Sequence, residues 1–280
     1  FNKRISDSKF SFFDTVKYLH KILGLPLTFK KQEGKKEVVD PLYIFKKVKT
    51  KRKRQNVLDI NPIDEKELHD FIPYIHIDIY REGIIKKTID KFELAYSYKW
   101  KRTIFPIRYW LSGELLGYNA RTSVENYDLF DIPKYYITSG YKKQNNLYGL
   151  YQNYNDIKNA NYITLLESEK SVCKRDSRND ATCVALQGHI ISDEQVRIII
   201  GLDIREVVVA LDKDVCIEEV WCICEKFYGI RKVSYIFDKY DLLGTKDSPA
   251  DANNKIYNFL FQYRNVYDEN VHKKYLKIRG

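Results

Sequence analysis

The stretch "VVVALDKDV", Val207 to Val215, sets five apolar residues in an unbroken run and ends it in two aspartates separated by a lysine. A strand with one wet face alternates apolar and polar residues. A continuous run rich in β-branched residues fits a strand covered on both faces, as in a mostly parallel sheet. The exit of such a strand would carry Asp212 and Asp214 to one edge of the sheet.

The neighbouring sequence repeats the pattern. "YITLLE" (162–167), "TCVAL" (182–186) and "KVSYIF" (232–237) are further short apolar runs, with segments of helical length between them. "SDEQVRIIIGL" opens with Ser192 and Gln195 in capping-box spacing. "SPADANNKIYNFLFQY" offers Ser248 as a cap, Pro249 at the first helical position and Asp251 three residues after the cap. Strand and helix in alternation predict a mostly parallel sheet covered by helices, and ligands of such sheets gather beyond the carboxyl ends of the strands. Glu167 ends the first apolar run, so it, Asp212 and Asp214 could converge there. Three carboxylates suit a hard divalent cation, because Mg²⁺ takes oxygen ligands and shares its shell with water and phosphate. An equally simple reading makes Asp214 the cap of a helix starting at Val215 and Asp212 a solvated loop acid. Asp247 is open to both readings, and Asp251 reads as a capping partner.

Charge divides the chain. The net charge is +10, yet between 161 and 264 acidic residues outnumber basic ones, 17 against 14, so the excess of positive charge lies entirely outside that block. The division suggests a region that meets a polyanion, joined to one with another task. Five cysteines without repeated spacing imply neither a disulfide framework nor a zinc site; they read as small buried hydrophobes. The five histidines are scattered, and no nucleophile, base and acid set emerges. No apolar run reaches membrane-spanning length, which predicts a soluble, cytoplasmic protein. The chain contains no methionine and so lacks an initiator, as a processed chain or a piece of a longer one would. Upstream, "RTIFPIRYWLSGELLGYNARTS" reads as two strands about a turn, 12–23 as a helix, and "KKVKTKRKR" (46–54) as a template-tracking patch or a solvated run. "KWKRTIFPIRYW" mixes Lys99, Lys101, Arg102 and Arg108 with Trp100, Tyr109 and Trp110, either a surface for single-stranded nucleic acid or sheet core.

"LLE", "ALQG", "VVALDKD" and "KDSPAD", in this order, resemble the Toprim domain of bacterial-type primases, topoisomerases and some nucleases. "IFPI", "GELLGYNAR", "IPKYYITSGYKK" and "LYGL" resemble the basic subdomain that precedes it in DnaG-type primases. The resemblance implies an α/β catalytic domain within an α+β whole: a basic N-terminal region over 1–95, the tail of a zinc module included, a basic primase-type subdomain over 96–160, a Toprim domain over 161–264 and an extension over 265–280. It makes Glu167, Asp212 and Asp214 catalytic ligands of two or more Mg²⁺ or Mn²⁺ ions, with Asp247 as a supporting acid and no zinc in this chain. It assigns Arg121, Lys134, Lys142, Lys143 and Arg102 to nucleotide and template. The implied partners are a single-stranded DNA template, nucleoside triphosphates, an RNA primer and a replicative helicase, in a bacterial cell or a phage-infected host.

The chain departs from the family's pattern. Ser168 stands where the family usually has glycine, the alanine and glycine that often follow the aspartate pair are both missing from "DKDVCI", and Lys213 puts a positive charge between the two aspartates. The resulting expectation is a primase core that makes short RNA on single-stranded DNA. A Toprim nuclease is the alternative, and a nucleic-acid binder with a spoiled metal site is a third.

Overall fold

A computed structural model describes residues 12–24 and 60–279. They fall in two compact units: one contains helix α1 (Phe12–Ile22), where the sequence predicts a helix, and the other contains residues 60–279. The charge run 46–54 lies outside the described residues.

The larger unit begins with helices α2 (Ile77–Arg81) and α3 (Lys86–Lys91) and an antiparallel sheet in the order β1 (Ala95–Ser97), β2 (Arg102–Arg108), β3 (Leu115–Thr122), β4 (Tyr135–Ile137). The two strands read about "LSGELLG" are β2 and β3, paired from Arg102↔Thr122 to Arg108↔Leu115. Tyr109 sides with the fold and is buried, whereas Trp100 packs on Phe71 and Tyr118 yet remains 40% exposed.

The chain then builds α4 (Leu150–Ala160), β5 (Tyr162–Leu166), α5 (Glu169–Ser177), β6 (Cys183–Ala185), α6 (Asp193–Gly201), β7 (Glu206–Val209), α7 (Ile217–Phe227), β8 (Lys232–Tyr235), α8 (Asn254–Gln262), β9 (Asn265–Val266) and α9 (Glu269–Arg279). The sheet order is β6-β5-β7-β8-β9, with β9 alone antiparallel. Residues 265–266 thus add an edge strand to this sheet. The fold is mixed α+β with one mostly parallel sheet, as the sequence predicts.

Burial explains the unbroken run. Val208 and Ala210 enter one apolar cluster with Phe92, Tyr148 and Val172, while Val207, Val209 and Leu211 enter another with Leu150, Ile199 and Phe227. Successive strand residues point to opposite faces, so a strand roofed on both sides has no wet position for a polar residue. Burial of each valine or leucine side chain in the run contributes about 1.5–3 kcal/mol.

Helix starts follow the sequence in part. Ser192 and Gln195 form the capping box of α6. The helix expected at Ser248 begins instead at Asn254, capped by the Asn253 side chain. The Ser248 amide does donate to Asp251 Oδ2 at 3.0 Å, but the Asp251 amide donates to the Ser248 carbonyl and the Ser248 hydroxyl accepts from the Ala250 amide, so these bonds close a turn. Asp214 caps nothing, because α7 starts at Ile217 behind Cys216. Of the cysteines, Cys173, Cys183 and Cys224 are buried as expected, whereas Cys216 and Cys222 are exposed.

A candidate acidic edge facing basic side chains

Strands β5 and β7 are neighbours, but the chain leaves β5 toward β6 on one side and leaves β7 toward β8 on the other. Their carboxyl ends flank the point where the winding reverses, the crevice in which open α/β sheets hold ligands. Glu167 follows β5 directly, and Asp212 lies three residues beyond β7. Glu167 and Asp212 are half-buried and Asp214 is exposed at the rim.

The electrostatics record this convergence. Burial pushes the Asp212 carboxyl up to about 6, the charge of Glu167 adds to the rise, and the Ser248 hydroxyl opposes it. Burial also raises Glu167, with His189 and Lys134 pulling it down and Asp214 pushing it up. Asp212 Oδ1 is buried without a hydrogen-bond partner. Among the described residues, no three histidine, cysteine, aspartate or glutamate side chains gather closely enough to cage a metal ion.

Ser168 and Lys213 have local explanations. Ser168 sits at φ −120° and ψ 155°, ordinary extended backbone that requires no glycine, and its side chain caps α5. Lys213 turns away from the two aspartates: its ammonium pairs with Asp238 at 3.2 Å and with Asp241, and donates to the Leu243 carbonyl at 2.6 Å. Asp238 is held below the usual carboxylate range because the Leu242 and Leu243 amides and Lys213 outweigh its burial. The glycine of "LYGL" is needed, since Gly149 has φ +83° and an added Cβ would stand 3.0 Å from Val172.

The basic residues separate into two groups. Arg121 on β3 pairs in register with Tyr135 on β4, and the cations of Arg121 and Lys134 lie 6.0 and 5.8 Å from that ring. Arg121 borders a cavity of about 170 Å³ with Glu82 and Thr103, and its Nη1 is buried without a partner. Lys134 is exposed, and its charge reaches Glu167. Lys143 is anchored, donating to the Gln187 carbonyl at 2.8 Å, and Lys142 is exposed beside it. Arg102 belongs to the fold: it is buried and donates to the carbonyls of Ala120, Pro133 and Lys134, so a reading of it as a nucleic-acid contact needs correcting. Asp247 is likewise occupied. Its carboxylate accepts from the Gly244 amide at 3.0 Å, while its carbonyl accepts from the Lys213 amide.

Three residues escape sequence reasoning. Glu169 is buried and accepts from Asn119 on β3 at 2.8 Å and from Gln187 at 2.6 Å. Lys170 and Lys174 on α5 both pair with Glu82, at 2.5 and 2.8 Å. The stretch "ESEK" (167–170) contains Glu169 and Lys170 but stops short of Lys174, and nothing local in it announces the distant partners. Burial, together with the nearby Arg121 and Lys174, depresses Lys170, although Glu82 resists.

No family model matches the chain. The SPbeta prophage-derived uncharacterized protein YorJ of Bacillus subtilis strain 168 is 27% identical to it, in an alignment that covers 86% of this chain and 70% of that protein. The Aquifex aeolicus primase, in its zinc-binding and RNA polymerase domains, superposes with a TM-score of 0.57 at 18% identity, over 93% of this chain and 69% of that one. The DnaG primase catalytic domain bound to ssDNA gives 0.54 at 17% identity, over 67% and 70%. The E. coli primase catalytic core gives 0.54 at 16% identity, over 68% and 72%. The chain has the fold of primase catalytic cores.

Proposed function

We propose that the chain is the polymerising core of a primase, making short RNA on a single-stranded DNA template by metal-dependent nucleotidyl transfer. The observation that carries this reading is the convergence of Glu167 and Asp212 at the carboxyl edge of the parallel sheet, with the charge of Lys134 reaching the same site. Residues 96–160 then serve as the basic subdomain and 161–264 as the Toprim domain. The relative in a prophage supports a phage or mobile-element origin and work inside the bacterial cell.

The donor set fits Mg²⁺ or Mn²⁺. It offers carboxylate oxygen alone, and the orphaned Oδ1 of Asp212 together with the raised Asp212 and Glu167 is what two acids awaiting a cation should present. Hard divalent ions are commonly held by one or two carboxylates plus water and phosphate oxygens, so a closed cage of three acids is not required. Once bound, such an ion would stabilise charge on the phosphate oxygens and activate the primer hydroxyl.

The chain's own residues do the rest. Arg121 and Lys134 bind the triphosphate and template phosphates, Arg121 as a planar fork and Lys134 as a mobile point charge. Ser248 favours the charged form of Asp212, which keeps that carboxylate ready to accept a cation. Glu169 joins the two sheets through Asn119 and Gln187, fixing the basic strand relative to the acidic edge. The attacking group belongs to the primer, so no protein nucleophile is needed.

Incubation of the chain with single-stranded DNA, labelled ribonucleotides and Mn²⁺ tests the reading. New labelled RNA supports it. Shortened DNA would replace it with a Toprim nuclease, and unchanged strands in every condition would contradict catalysis.

A further inference from the structure

The acidic edge carries one more carboxylate, and it is already occupied. Asp251 lies close enough to raise Asp212 by its charge, and Ser248 stands between them: its hydroxyl faces Asp212 and its amide donates to Asp251 Oδ2 at 3.0 Å. The other oxygen, Oδ1, is 2.5 Å from Lys174 Nζ. This lysine comes from α5, the helix that starts two residues after Glu167, and it is 7% exposed. Its ammonium also pairs with Glu82 at 2.8 Å, and Glu82 pairs with Lys170 at 2.5 Å. Arg178 fixes the same turn by donating to the Ala250 carbonyl at 2.7 Å and to the Ala252 carbonyl.

We infer that Lys174 is a built-in counter-cation that occupies the cation position of Asp251 and confines divalent metal to Glu167, Asp212 and Asp214. This rests on the metal reading above. The physical reason is charge density. Four carboxylates around one crevice would repel one another and draw in a further cation, whereas a buried lysine between Asp251 and Glu82 supplies that charge permanently and does not exchange with solvent. A buried ammonium needs partners, and Lys174 has two carboxylates. The ion pair also crosses from the helical region before the antiparallel sheet, through Glu82, to the turn that carries Ser248. Lys174 is therefore a positioning residue, acting on Asp212 through Asp251 and Ser248.

The test counts bound Mn²⁺ by electron paramagnetic resonance in the 280-residue chain, with circular dichroism to verify folding. Asp212→Asn should bind Mn²⁺ at least about tenfold more weakly than the parent, as loss of a ligand requires. Lys174→Met should bind one further Mn²⁺, or bind the same number at least about fivefold tighter, because Asp251 is released. The double variant Lys174→Met/Asp251→Asn should return to the parental count, and Lys174→Arg should keep it. Asp251→Asn alone should retain the parental number of ions and bind them several-fold more weakly, since one negative charge near Asp212 is lost while the Lys174 ammonium, still paired with Glu82, stays. This last variant decides the matter if Lys174→Met does not fold. Loss of a bound ion in Asp251→Asn would show that Asp251 ligates metal and would overturn the assignment. Parental binding by a folded Lys174→Met would overturn it as well. Equal Mn²⁺ binding by the parent and Asp212→Asn would instead remove the metal reading and the role of Lys174 with it, a pattern distinct from either.

Discussion

Asn119 donates to Glu169 at 2.8 Å across the join between the antiparallel sheet and the parallel one. Asn119 lies two residues before Arg121 and Glu169 two residues after Glu167, so one buried bond sets the basic strand against the acidic edge. Gln187 completes the arrangement from the loop after β6. Removing a partner leaves a buried carboxylate oxygen poorly satisfied. Asn119→Ala should therefore cost about 1–3 kcal/mol in urea unfolding, and primer synthesis should fall even at temperatures where the variant is fully folded.

Arg121→Ala and Lys134→Ala should weaken nucleotide or template binding with little effect on stability. Each lost phosphate contact should lower the slope of log affinity against log salt by about one unit. Arg102→Ala should do the reverse, lowering stability through its three carbonyl partners and leaving the slope unchanged. Fluorescence-anisotropy titrations of single-stranded DNA at several salt concentrations, beside melting curves, separate the two patterns.

Asp212 makes stability depend on pH in a stated direction. Its carboxyl is raised from 3.8 to about 6, so the metal-free folded state holds its proton more tightly than the unfolded chain does. The resulting penalty is absent below pH 3.8, grows between 3.8 and 6, and is complete above 6. Asp212→Asn should thus stabilise the metal-free protein by about 1–3 kcal/mol at pH 7.5 and by almost nothing near pH 3.5. Millimolar Mg²⁺ should raise the melting temperature of the parent and not of the variant.

Glu206 acts with the opposite sign. Although burial alone would raise it, bonds from Arg264, Ser234 and Lys232 hold it near 2 against an ordinary 4.5. Arg264 grips both oxygens, at 2.9 and 3.1 Å. A depressed acid stabilises the fold fully above pH 4.5, and this contribution is lost as the pH falls toward 2. Glu206→Gln should cost about 2 kcal/mol at pH 7, after allowance for screening of a partly exposed pair. The difference from the parent should shrink in denaturation series carried toward pH 3.

What the sequence disclosed and what it hid follow one rule. Val207 to Leu211 announced a doubly covered strand because periodicity along one segment reports its own burial. The Ser192 and Gln195 box was equally plain, since both partners lie within one turn. Ser248, Pro249 and Asp251 carried the same local signature, yet their bonds closed a turn and the helix waited for Asn253. Arg102 lies in a stretch that mixes basic and aromatic residues as a binding surface would, and only the distant carbonyls of Pro133 and Lys134 reveal its structural use. Glu169 and Lys174 were invisible because their partners, Asn119 and Glu82, lie 50 and 92 residues away. Lys213 looked like an intruder between two acids until the loop after β8 supplied Asp238 and Asp241.

In the proposed function Glu167 and Asp212 serve catalysis by holding a cation at the sheet edge, and one comparison tests that role directly. Primer synthesis from labelled ribonucleotides on single-stranded DNA is measured with Mn²⁺ for the parent, Glu167→Gln and Asp212→Asn, together with the affinity of each for the same DNA. A bound metal is worth several kcal/mol of transition-state charge, so synthesis should fall at least about a hundredfold in each variant, while DNA affinity, which the proposed function assigns to Arg121 and Lys134, should stay within about twofold of the parent. Synthesis at the parental rate by either folded variant would contradict the claim.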